Sequence, residues 1–247
     1  MSDFNRGFTR PAAPAADMSV DAGLRAFMLG VYNKVGLGLV LSAALAWVTG
    51  TYEPVQRLLF SVDANGRLSY TILGMVVAFA PLAILLFQAF ARRASPQSAA
   101  ITYWAIVALI GASFGLLFMI YSSTSIFQTF LITAAAFGGL SLVGYTTKRN
   151  LTGLGSFLIM GLWGLIFAML ASFFFHSPAL VFVINLVGVL IFAGLIAFDT
   201  QRLKLTYYQL GGDQAAMGVA TNYGALSLYL DFLNLFLFLL RLMGGRR

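Results

Sequence analysis

The sequence predicts an all-α integral membrane protein with seven transmembrane helices. Three observations carry that prediction. Hydrophobic residues make up 60% of the 247 and charged residues only 9%, where a soluble domain has roughly 45–50% and about 25%. Eight acids and fifteen bases cannot clothe a water-facing surface of this size, and the mean hydropathy of +0.89 agrees. Long stretches also lack Asp, Glu, Lys and Arg altogether: 68–91, 94–147 and 150–198. A helix needs about 20 apolar residues to cross a hydrocarbon core of roughly 30 Å. The two longer stretches must therefore each hold two spans folded back at a polar turn.

The elements follow in order. Residues 1–22 are rich in Pro, Ala and polar side chains and lack the basic-then-apolar order of a signal peptide. They read as a disordered tail, with 23–247 forming the membrane domain. The first span lies at about 31–50 and is long enough to stay as an anchor. A polar segment holding Arg57 and Arg67 leads to the second span, about 69–91, which ends at Arg92 and Arg93. Spans three and four, about 100–121 and 126–146, turn at Ser122-Ser123-Thr124-Ser125. Lys148 and Arg149 precede span five, about 153–175. His176-Ser177-Pro178 then turns the chain into span six, about 179–203, and a last span covers about 223–241.

The bases set the expected orientation. With the N-terminus inside, cytoplasmic segments carry Arg6, Arg10, Arg25, Lys34, Arg92, Arg93, Lys148, Arg149, Arg202 and Lys204. Outer segments carry Arg57, Arg67, Arg241, Arg246 and Arg247. The positive-inside rule favours a cytoplasmic N-terminus, although the basic C-terminal tail argues the other way. No eukaryotic retention signal ends the chain, and the expected location is a bacterial inner membrane.

Composition and motifs exclude several function classes. With no cysteine, thiolate catalysis and cysteine-ligated metals are out. The net charge of +7 does not point to nucleic acid, because no basic run exceeds two residues. Gly111-Ala112-Ser113-Phe114-Gly115 matches the GxSxG of serine hydrolases. The same five residues read as GxxxG, a close-packing surface between helices. His176, the one histidine, falls in an outer turn, away from the depth of Ser113, so packing is the preferred reading. A retinal protein needs a lysine within the last helix, whereas Lys34, Lys148 and Lys204 all fall at expected interfaces. No enzyme and no resident cofactor is expected.

Asp231 is the outstanding polar group. It lies about eight residues, or ~12 Å, into the last span, in ALSLYLDFLNLFLFLL. Its helical neighbours Ser227, Leu228, Asn234 and Leu235 offer no cation. A lone carboxylate there costs about 2.5–3.5 kcal/mol on insertion scales. It must find a partner on another helix, bind a cation or hold a proton. Asp199 lies towards the inner end of span six, where Arg202 at i+3 can pair with it. Spans six and seven are consecutive and antiparallel, so both aspartates fall in the same half of the membrane. Two carboxylates in one site cannot both ionise cheaply, which makes the pair a candidate pH sensor or cation site.

LYLDFLNLFLFLLRLMG around Asp231 and FDTQRLK around Asp199 closely resemble signatures of the Bax inhibitor-1 family, as does FGGLSLVGYTTKRNLTGLG after span four. The similarity in length, helix count and motif order covers about residues 25–245. It implies two three-helix layers around a central C-terminal helix, and a pH-sensitive calcium leak. It further implies that a di-aspartyl pair, here Asp199 and Asp231, gates the cytoplasmic side of the pore. A basic cluster matching Arg92 and Arg93 would serve as latch. Two departures stand out: Asn150 replaces the Asp that many members carry, and span two lacks the buried acid of some calcium-conducting relatives. The second departure bears on calcium conduction more than on the pH sensor.

The expected function is therefore a pH-gated cation leak, with Ca²⁺ as permeant ion contacting Asp199 and Asp231, and with protons and the lipid bilayer as its other partners. The rival expectation is a non-conducting binding protein that modulates a membrane protease, another membrane protein or a stress pathway.

Overall fold

The computed structural model describes residues 22–62, 68–90, 94–175 and 177–245. Helix α1 (Ala22–Thr51) is followed by a short α2 (Glu53–Leu59) and two strands, β1 (Phe60–Val62) and β2 (Leu68–Tyr70). Then come α3 (Ile72–Phe90), α4 (Pro96–Ser113), α5 (Gly115–Ile120) and α6 (Ser123–Thr146), with α7 (Thr152–Ser172), α8 (Pro178–Leu210) and α9 (Gln214–Met243) completing the order. Six helical stretches are long and apolar enough to cross a membrane, with α4 and α5 acting as one. The expected second span is α3, whose apolar part Ile72–Gln88 falls below that length. Among the described residues the count is thus six such helices and one shorter apolar helix, rather than seven equal spans.

Helix starts follow capping chemistry, since the first turn leaves backbone N–H groups without intrahelical partners. Ser95 caps α4 in a reciprocal pair with Ser98, and Pro96 occupies the first turn, where a missing N–H costs nothing. Ser122 accepts from Ser125 N to open α6, and Ser177 accepts from Leu180 N ahead of Pro178 to open α8. His176 of the predicted turn lies outside the described residues, as do the tail 1–21 and Arg92 and Arg93.

Two regions differ from the sequence reading. The segment between the first two spans holds α2 and an antiparallel hairpin in which Phe60 faces Tyr70. Its strands are too short for an alternation signal. The expected connection between spans six and seven, about 204–222, shrinks to a turn at 211–213, because α8 runs on to Leu210 and α9 begins at Gln214. Gly211 (φ 57°) and Gly212 (φ 90°) make that reversal, in left-handed backbone that glycine enters without steric cost. Asp213 then caps α9 by accepting from Ala215 N and Ala216 N.

Helices α1, α3 and α4–α5 pack together, as do α6, α7 and α8, while α9 contacts α1 and α4 on one side and α6 and α8 on the other. One buried cluster joins Leu24, Val31, Tyr103 and Ile106 to Tyr229 and Phe232 of α9. A second joins Leu158, Ile191 and Ile196 to Leu235 and Phe238. The most interior helix is α9. Outward-facing Phe79, Phe87, Phe167 and Phe174 are two-thirds exposed or nearly so, the lipid-facing surface that a bilayer requires.

The α1–α4 seam is built from small residues. A Cβ at Gly111 would meet Ser42 Cα at 2.6 Å, and one at Gly115 would meet Gly50 N at 2.8 Å. Ser42 Oγ donates to Val107 O at 3.0 Å, and Thr49 Oγ1 donates to Ala112 O at 3.0 Å. Ser113 Oγ turns back onto Ile110 O at 2.8 Å. The GxxxG residues therefore occupy a helix–helix contact, where small side chains let backbones approach.

Candidate functional site

Asp199 sits on α8 about three turns before that helix ends at Leu210. Lys204, which reads as an interfacial base, follows it on the same helix. It is only 7% exposed, and its Nζ donates to Tyr145 O at 2.8 Å and lies 5.3 Å from the Tyr145 ring centre. Tyr145 is the second-to-last residue of α6, so the lysine lies level with the end of that helix. Its neighbour Gln201, equally buried, accepts from Leu151 N at 2.8 Å and donates to Arg149 O at 2.7 Å. The α8 segment around Asp199 thereby holds the α6–α7 connection in place.

Asp231 faces it from the middle of α9. Asp199 is 6% and Asp231 7% exposed, on two helices packed against each other. Ser227 Oγ, one turn before Asp231, donates to Asp199 Oδ2. Arg202 Nη1 lies 3.4 Å from Asp199 Oδ1, with its own side chain half exposed. Asp231 Oδ2 is buried and makes no hydrogen bond among the described residues.

The chemistry of this cluster is constrained. Carboxylates only accept hydrogen bonds, so two of them can bond to each other only when one carries a proton. A buried acceptor left unpaired costs free energy of about 1–3 kcal/mol. The unpaired Asp231 oxygen thus calls for a proton or a cation. No third acidic or imidazole side chain joins the pair among the described residues, while Ca²⁺ takes 6–8 oxygen ligands. A calcium ion here would keep water or backbone carbonyls for most of its coordination.

Sequence reasoning picked out Asp199, Asp231 and Arg202, and the structure brings all three together. It missed Ser227, Gln201 and Lys204. Ser227 carried a usable signal, one turn from Asp231 on the same face. Gln201 and Lys204 carried none, since their partners are backbone atoms of a distant loop.

The family described as "Inhibitor of apoptosis-promoting Bax1" matches residues 24–247. The chain is 60% identical over its whole length to an uncharacterized protein of Caulobacter vibrioides, also covered in full. It is 41% identical to the uncharacterized protein RP147 of Rickettsia prowazekii, again with both chains covered in full. Inner membrane protein YbhL of Escherichia coli is 39% identical, over 95% of this chain and 98% of that one. With that coverage, and with apolar helices long enough to span a bilayer, the chain is a multi-pass membrane protein that belongs to the Bax inhibitor family.

Proposed function

We propose that this protein is a pH-gated cation leak, with Ca²⁺ as the permeant ion and the Asp199–Asp231 pair as its gate. The observation that carries the proposal is the buried, unpaired Asp231 oxygen beside a second carboxyl. Two like charges in one enclosed site make proton occupancy and cation occupancy alternatives. When the pair is ionised it holds a cation or an arginine by charge. When it is protonated that hold is lost, and the helices it joins are free to shift. Arg202 is the arginine in place, and the family resemblance adds Arg92 and Arg93 as latch partners. In this reading α3 is a seventh span, the N-terminus is cytoplasmic, and the pair faces the cytoplasmic side of a bacterial inner membrane.

A second reading has its own support. Asp199 is already engaged by Ser227 and Arg202, as a purely structural cluster would be. The protein would then be a non-conducting partner of a membrane protease or another membrane protein. Calcium entry into liposomes holding the purified protein, followed over a pH series, separates the two. A leak expects flux above that of empty vesicles and varying with pH. Flux equal to empty vesicles at every pH favours the binding protein.

A further inference from the structure

A cavity of about 300 Å³ lies between the ends of α7 and α9 and the first turns of α8, beside Tyr121 at the α5–α6 junction. It belongs to the opposite end of the α8–α9 pair from the aspartates. Asn185 precedes Asp199 on α8 by about 21 Å of helix, and Arg241 follows Asp231 on α9 by about 15 Å. We infer that this cavity binds a phosphate group, with Arg241, Asn185 and Tyr121 as its donors.

Asn185 is 4% exposed and Tyr121 5%, yet neither side chain makes a hydrogen bond among the described residues. The unbonded hydroxyls of Ser141 and Thr200 are sealed from water, whereas the polar ends of Asn185 and Tyr121 are not, and both residues line the cavity. A buried polar group without a partner costs about 1–3 kcal/mol, so each calls for a partner from outside the chain. Water alone would satisfy the amide and the hydroxyl; the guanidinium selects an anion. Arg241 takes part in no ion pair among the described residues. It lies 5.7 Å from the Phe238 ring centre, a contact that steadies the guanidinium and leaves its N–H donors available. No Asp or Glu lines the cavity, and Ser172 Oγ, already donating to Met169 O at 2.6 Å, adds no donor. Three donors, one of them charged, suit an oxyanion. The volume well exceeds the ~30 Å³ share of one water and admits a phosphate group. Val181 on the lining is 46% exposed, so the cavity adjoins the lipid-facing surface. A phospholipid headgroup and inorganic phosphate share the chemistry that this lining recognises.

The full chain, purified in detergent, is titrated with inorganic phosphate by calorimetry. In a second arm it is analysed by native mass spectrometry with phosphatidylglycerol or with diacylglycerol of the same acyl chains. The expected result is one phosphate bound per chain, or one phosphatidylglycerol retained where diacylglycerol is not. Phosphate binding without lipid retention names a soluble anion as the source, and selective lipid retention names a headgroup. Arg241→Gln should weaken the observed binding by roughly tenfold, about 1.4 kcal/mol. Tyr121→Phe keeps the ring and removes only the hydroxyl, and should weaken binding by roughly threefold. Asn185→Asp sets a carboxylate against the anion and should abolish binding. Arg57→Gln removes an exposed base that pairs with Glu53 instead, and should leave binding unchanged. Binding of neither probe by wild type overturns the assignment. Should Asn185→Asp not be recovered as a folded chain, wild-type affinity in Arg241→Gln and Tyr121→Phe overturns it independently.

Discussion

At Ser227 a single hydroxyl bridges two helices, donating to Asp199 while sitting one turn from Asp231. Its removal leaves an oxygen of Asp199 in a buried site without that donor. Ser227→Ala should lower stability in detergent by about 1 kcal/mol, since hydrogen bonds between membrane helices average ~0.6 and reach ~1.7. A melting temperature equal to that of wild type would show the bond contributes nothing. The aspartates were legible in the sequence because carboxylates at membrane depth are costly and rare. Ser227 was not, because serine also serves as a small packing residue and nothing local names its partner. Lys204 was legible as a base at the end of an apolar run, but its carbonyl partner on α6 was not, because nothing local names it.

At the scale of elements, the α1–α4 seam makes the sharpest distinction between packing and chemistry. Ser113→Ala should change stability little, because Ser113 Oγ bonds only within its own helix turn. Gly111→Leu should cost about 1–3 kcal/mol, as overpacking does, since its Cβ would press on the Ser42 backbone. Thermal unfolding of the two variants checks both statements, and loss of function in Ser113→Ala alone would reopen the hydrolase reading. Gln201 gives a further element-scale prediction. Gln201→Leu strips the partners from Leu151 N and Arg149 O and should speed amide exchange across residues 147–151 while leaving the middle of α9 protected. Exchange unchanged in that loop would mean that other contacts hold it. The middle of each apolar helix was readable from charge-free stretches. The helix ends were not, because α8 and α9 continue past the apolar segment with their own backbone bonds satisfied, and only Gly211-Gly212 breaks them.

For the molecule as a whole, composition alone established the membrane class, because too few charges exist to face water. The grouping of helices around α9 rests on contacts between residues far apart in sequence, which periodicity does not report. The family resemblance had already anticipated it. Orientation is testable with one residue: Asn150 is exposed in the α6–α7 connection, and Asn150→Cys should react with an impermeant thiol reagent only after cells are permeabilised. Reaction in intact cells would put the aspartate pair on the other side of the membrane. The central claim, that Asp199 and Asp231 act as one gate, is tested most directly by the pH dependence of calcium flux in liposomes for Asp199→Asn, Asp231→Asn and the double variant. Residues sharing one site are non-additive, so each single variant should lose the pH dependence and the double should match either single. Losses that add independently, or pH dependence kept in both singles, would contradict it.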